Sequence, residues 1–156
     1  MQNASLRRQT LADLLRRSAR RHPGRTVLEF GAIRWCYAEL DALVDRLALS
    51  LQCRGIAEGE RVAILSRNSH AFIAMRFALA RMGAVLVPVN FMLNAREIAY
   101  ILRHSGARWL CTDSEHAAVA REAAASDTAV REFIWLPAAD GEPVEGMTDF
   151  HALTEP

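Results

Sequence analysis

Cys111, Asp113, Glu115 and His116 crowd into one short stretch and could be drawn as a metal site. Their spacing matches no recurring zinc pattern, and Asp113 or Ser114 is wanted as a helix cap. Ser66 and Ser69 lack the Gly-x-Ser-x-Gly frame of an activated nucleophile and suit helix capping in a strand-to-helix turn. The 8 glycines never form Gly-x-Gly-x-x-Gly, and Gly55 and Gly59 are not followed by Lys-Ser/Thr, so dinucleotide and Walker loops are absent. His22, His70, His104 and His151 are scattered and read as surface or capping residues rather than bases. All 19 basic residues are arginine, so no chemistry that needs a lysine amine can reside here. No catalytic, cofactor-binding or metal-ligating residue is assigned.

What the chain offers instead is scaffold. Its 156 residues suit one domain with a real core, and 51% hydrophobic with 24% charged residues at net charge +1 describes an ordinary globule. Near neutrality, with no arginine block interleaved with aromatics, gives no push toward nucleic acid. The 3 cysteines (Cys36, Cys53, Cys111) are far apart and odd in number, which reads as reduced, mostly buried thiols in a cytoplasmic protein. The arginine-rich first 25 residues superficially resemble an organellar transit segment. They read better as a first helix with a solvated basic face, Thr10 and Asp13 forming its capping box and Leu11, Leu14 and Leu15 its apolar stripe. No apolar stretch is long enough to span a bilayer.

Four short β-forming runs recur at nearly even spacing: Arg61–Leu65, Val85–Val89, Arg108–Cys111 and Glu132–Leu136. Helical patterns lie between them, over about Ser69–Met82, Ala95–His104 and Glu115–Ala125, and an earlier one covers Tyr37–Arg54. Gly83, Gly106 and Gly55 stand where left-handed caps would end three of these helices. Asn94 with Glu97 makes a capping box, Asn68 can cap the helix over Ser69–Met82, and Cys36 stands where a hydroxyl belongs before Glu39. Strand and helix alternating with continuously apolar strands predict an α/β fold: a parallel-sheet layer flanked by helices. Pro88 is expected at the carboxyl end of its strand, where its missing donor does no harm. Asn90 then begins a loop, either turning the backbone or facing a ligand at the sheet's carboxyl edge.

The ordered set Thr10-Leu-Ala-Asp-Leu-Leu, His22-Pro23, Trp35-Cys-Tyr-Ala-Glu-Leu40, Gly55-Ile-Ala-Glu-Gly-Glu-Arg-Val62, Asn68-Ser69, Gly83-Ala-Val-Leu-Val-Pro-Val-Asn90 and Arg96-Glu97 resembles the amino-terminal portion of AMP-forming acyl-CoA synthetases, in the adenylate-forming superfamily. Departures are Cys36 for threonine, Glu60 for aspartate, and Phe91 where proline often stands. The resemblance implies part of the large N-terminal domain of a ligase that converts a carboxylic acid, fatty by expectation, and ATP to an acyl-adenylate and then a coenzyme A thioester.

For the complete enzyme the resemblance implies ATP, Mg2+ and coenzyme A. The family's Ser/Thr/Gly-rich phosphate loop, aromatic-Thr-Glu motif, ribose-binding aspartate and catalytic lysine all lie outside these residues. Residues 1–156 are therefore expected to form a single partial domain that binds none of these groups well and is inactive alone. Residues 137–156 are expected to be linker toward the phosphate loop. Some members place a basic side chain near the coenzyme A phosphates in the loop after the strand-end Asn; the nearest position here is Met92, so that contact does not carry over, and Arg96, one helical turn on, is either its substitute or an exposed helix arginine. The expected partner is the remainder of the ligase. The alternative is a stand-alone, non-catalytic binding module that covers an apolar face by self-association.

Overall fold

A computed structural model describes residues 10–138 and 141–155. The elements run α1 (Leu11–Arg21), β1 (Thr26–Phe30), β2 (Ile33–Cys36), α2 (Tyr37–Cys53), β3 (Arg61–Leu65), α3 (His70–Met82) and β4 (Val85–Pro88). They continue with α4 (Ala95–Ser105), β5 (Trp109–Thr112), α5 (Ala117–Ala124), β6 (Glu132–Trp135), β7 (Thr148–Asp149) and α6 (Phe150–Thr154). A five-stranded sheet has the order β4-β3-β5-β6-β7, and every pair in it is parallel. The four evenly spaced runs are thus parallel neighbours as expected.

Alternation along these strands divides the core. Val62, Ile64, Trp109, Cys111, Ile134 and Leu136 face one way, against α2, α3, Leu15 of α1 and Phe150 of α6. Ala63, Leu65, Val89 and Leu110 face the other, against α4 and α5. Strands buried on both faces show no polar–apolar alternation, which is why each reads as a solid apolar run.

Local chemistry sets the ends. The α1 box closes, Thr10 N–H donating to Asp13 Oδ2 at 2.9 Å and Asp13 N–H to Thr10 Oγ1 at 3.3 Å; the Thr10 N–H, with the Thr10 hydroxyl donating to the same Oδ2, holds the Asp13 carboxyl below its ordinary value. Its buried stripe is Ala12, Leu15 and Ala19, not the expected leucine triplet, and Leu14 points to solvent. Residues 1–9 of the basic segment lie outside the described residues. At α3 the cap is Ser69, whose Oγ accepts from Phe72 N–H at 3.1 Å, rather than Asn68. Gly83 ends α3 at φ 73°, and a Cβ there would meet Glu58 Cγ at 2.9 Å, so both backbone and space select glycine.

Three features were not anticipated. β1 and β2 form an antiparallel hairpin through Gly31 at φ 57°, a glycine-first two-residue turn. The segment read as linker contains β7, paired with β6, and α6, whose Phe150 and Leu153 are buried. Of the cysteines only Cys111 is buried, its thiol pushed up by burial, while Cys53 is exposed.

Candidate site at the switch point of the sheet

The chain leaves β3 for α3 on one face of the sheet and leaves β5 for α5 on the other, although β3 and β5 are neighbours. This is a topological switch point, where the loops at the carboxyl ends part and open parallel sheets take up ligands. Here the crevice is filled by the chain's own side chains. Asp113, 1% exposed at the end of β5, accepts the Arg67 backbone N–H at 2.9 Å through Oδ2, which ties the β5 loop to the β3 loop. Its Oδ1 accepts the His116 backbone N–H at 3.0 Å and lies 2.6 Å from His116 Nδ1. A carboxylate on that side makes Nδ1 the donor and leaves Nε2 as the second ring nitrogen.

Above this the Arg67 guanidinium forms a two-pronged pair with Glu115, Nε to Oε2 at 2.8 Å and an NH2 to Oε1 at 2.9 Å. Phe91, from the loop after β4, lies 5.5 Å below that guanidinium and 5.5 Å from the His116 ring centroid. Three strand ends are thereby laced together, a geometry suited to cation–π and charge-assisted contact. Asn90 turns the backbone, its Oδ1 accepting Met92 N–H at 3.0 Å. That is the turn role of the two left open for it.

The Cys111, Asp113, Glu115 and His116 stretch, set aside as a metal site on its spacing, is divided by the fold. Cys111 points into the core, Glu115 pairs with Arg67, and among the described residues no three His, Cys, Asp or Glu side chains are placed to hold a metal. Asp113 helps cap α5 from a distance, but the cap residue is His116 and the helix starts at Ala117, two residues later than expected. Magnesium and nucleotide phosphates do not fit these residues: both Asp113 oxygens are committed, Arg67 is neutralised by Glu115, and the Phe72 and Met92 amides serve Ser69 and Asn90. Met92 is 81% exposed, and Arg96 lies along an open groove of about 540 Å³ with Leu93, Asn94, Glu97, Tyr100 and Ile101. Arg67 and Phe91 were not singled out from the sequence as a pair, because only the strand order brings them together.

Such a layer, parallel strands with helices on both faces and a switch point at the carboxyl edge, defines a doubly wound α/β scaffold. Residues 15–153 match the family model described as AMP-binding enzyme, and the chain belongs to that family. It is 38% identical over 138 residues to a feruloyl-CoA synthase of Amycolatopsis sp, covering 88% of this chain and 28% of that protein. It is 43% identical over 76 residues to the long-chain-fatty-acid–CoA ligase FadD13 of Mycobacterium tuberculosis, covering 49% of this chain and 15% of that one. Among solved structures, a long-chain-fatty-acid CoA ligase from Rhodopseudomonas palustris superposes with TM-score 0.84 at 31% identity, over 96% of this chain and 37% of that one. The N-terminal domain of FACL13 from M. tuberculosis gives TM-score 0.77 at 32% identity, over 88% and 38%. The chain is matched over 15% to 38% of the length of these relatives, and its sheet is the parallel layer of the N-terminal domain of adenylate-forming ligases.

Proposed function

We propose that this chain is the amino-terminal scaffold of an acyl-CoA synthetase that activates a carboxylic acid with ATP and transfers the acyl group to coenzyme A, and that it is inactive alone. The observation that carries the reading is the switch point itself: a ligand-type crevice laced shut by Arg67, Asp113 and Glu115 rather than lined with free donors. Transfer at a phosphate needs cationic and metal charge placed on the developing negative charge. Among the described residues the switch point offers no uncommitted donor for it, which supports a source in the remainder of the ligase, the expected partner. A fatty acid as the carboxylate is supported by the similarity to the long-chain ligases. A cytoplasmic setting agrees with the lack, among the described residues, of any helix long and apolar enough to cross a membrane.

The test is ATP–pyrophosphate exchange on the purified chain with aliphatic and aromatic carboxylates. No exchange is expected, and measurable exchange overturns the claim of incompetence. The reading frame downstream supplies a second test. Continuation into a Ser/Thr/Gly-rich loop ending in Pro-Lys supports the scaffold reading, and a natural stop codon favours a stand-alone module.

A further inference from the structure

His70, read as a surface or capping residue, is 3% exposed at the start of α3. Its ring is enclosed by Phe30 of β1 at 5.4 Å, Trp35 of β2 at 5.4 Å and Phe150 of α6 at 6.1 Å between centroids. Neither ring nitrogen has a hydrogen-bond partner among the described residues. One imidazole thus forms the common contact of the hairpin, the α3 start and α6.

The surrounding groups oppose a charge on it. The amino end of α3 carries the positive end of the helix dipole. From α6 comes His151, whose own ring packs against Trp135 and Phe150. Asp149, at the end of β7, is occupied as the cap of α6, taking the His151 N–H at 2.8 Å. Glu29 of β1 and Arg34 of β2 pair with each other at the surface, and Arg81 of α3 pairs with Asp41 and Asp45 of α2. None of these offers His70 an acceptor.

We propose that His70 is a proton-sensitive latch whose protonation unseats β7 and α6 from the sheet while β3, β4, β5 and β6 stay folded. The direction follows from where a charged, donor-only ring can go. α6 is the weakest wall of the box: five residues, reached through a strand of two, and held otherwise by Leu153, by Arg46 Nε donating to Thr154 O at 3.0 Å and by Arg54 donating to Thr148 at 3.3 Å. The hairpin is anchored by its own ladder and by Tyr37 and Ala38 N–H donating to Arg25 and Pro23 carbonyls.

Burial, and behind it the charge of His151, lowers the closed-state value of His70 from 6.5 to about 4. The open form takes the proton more readily, so the latch is shut above about pH 6.5 and loosens as pH falls toward 4. Hydrogen–deuterium exchange of the whole chain, corrected for intrinsic amide rates, tests this. Between pH 7.5 and 5.5, residues 148–154 should exchange about tenfold faster while β3 and β5 hold their protection. His70→Phe keeps a ring in the box and should abolish the acid effect. Equal protection at both pH values, loss of the whole sheet together, or the same loosening in His70→Phe overturns the latch. Should that variant not fold, NMR titration of His70 in the unmodified chain decides. A midpoint well below 6.5 supports the latch, and a midpoint near 6.5 overturns it.

Discussion

The two faces of the sheet are filled by different means. On one, α2 and α3 bring Leu40, Leu47, Leu51, Met75 and Leu79, with α1, α6 and the hairpin closing the sides. On the other, α4 and α5 bring Ile98 and Leu102 but also Ala99, Ala120 and Ala123, and α5 buries only alanines in the core. The first face, where large side chains outnumber Ala48, Ala71, Ala74 and Ala78, is the thick one and depends on volume; the second, with fewer large side chains, is the thin one and depends on close approach. Core substitutions of opposite kind should therefore damage them.

Leu79→Ala on the thick face removes a fully buried side chain and should cost about 2–5 kcal/mol in urea unfolding. A loss below about 1 kcal/mol would show that this face collapses as easily as a thin one. Asp113→Ala acts where the loops to the two faces meet. It strips acceptors from the Arg67 and His116 amides and should cost about 2–3 kcal/mol by the same measurement. On the thin face, Ala123→Leu overpacks and should cost about 1–3 kcal/mol, although leucine is a good helix former. No loss there would mean that α5 stands off from the sheet.

The smallest expected effect compares two caps, one on each face. On α4 the Asn94 box is complete, with bonds of 3.0 and 3.1 Å. On α2 the Glu39 half is made, Cys36 N–H donating to its carboxylate at 2.7 Å, which also holds that carboxyl below its ordinary value, but a thiol is a poor acceptor for the other half. Cys36→Thr should raise the thermal midpoint, by up to about 1 kcal/mol of stability. An unchanged or lower midpoint removes Cys36 from the capping role.

The parallel strands and most helix ends of this architecture are legible in the sequence. Strands buried on both faces announce themselves as solid apolar runs, and Gly83 and Gly106 mark helix ends because only glycine takes that backbone cheaply. The hairpin was missed because β1 and β2 are only partly buried and their residues carry no strong apolar run. β7 is two residues long and has no period to read. The switch point was legible only as a rule: Asp113 and His116 were noticed, but their meeting with Arg67 and Phe91 depends on strand order. His70 was misread for a related reason, since Phe30, Trp35 and Phe150 come to it from distant parts of the chain.

Pro88 has a consequence beyond ending β4. Val85 and Val89 donate their amides inward, to Glu60 and Ile64, so by alternation the amides at Leu86 and Pro88 look outward from the rim of the sheet. Proline has none to give, and the Ala84 amide already turns back to Leu79. A foreign strand laid along this rim would find a single donor at Leu86, too few to register against, so the rim is blunted against unwanted docking of neighbouring chains.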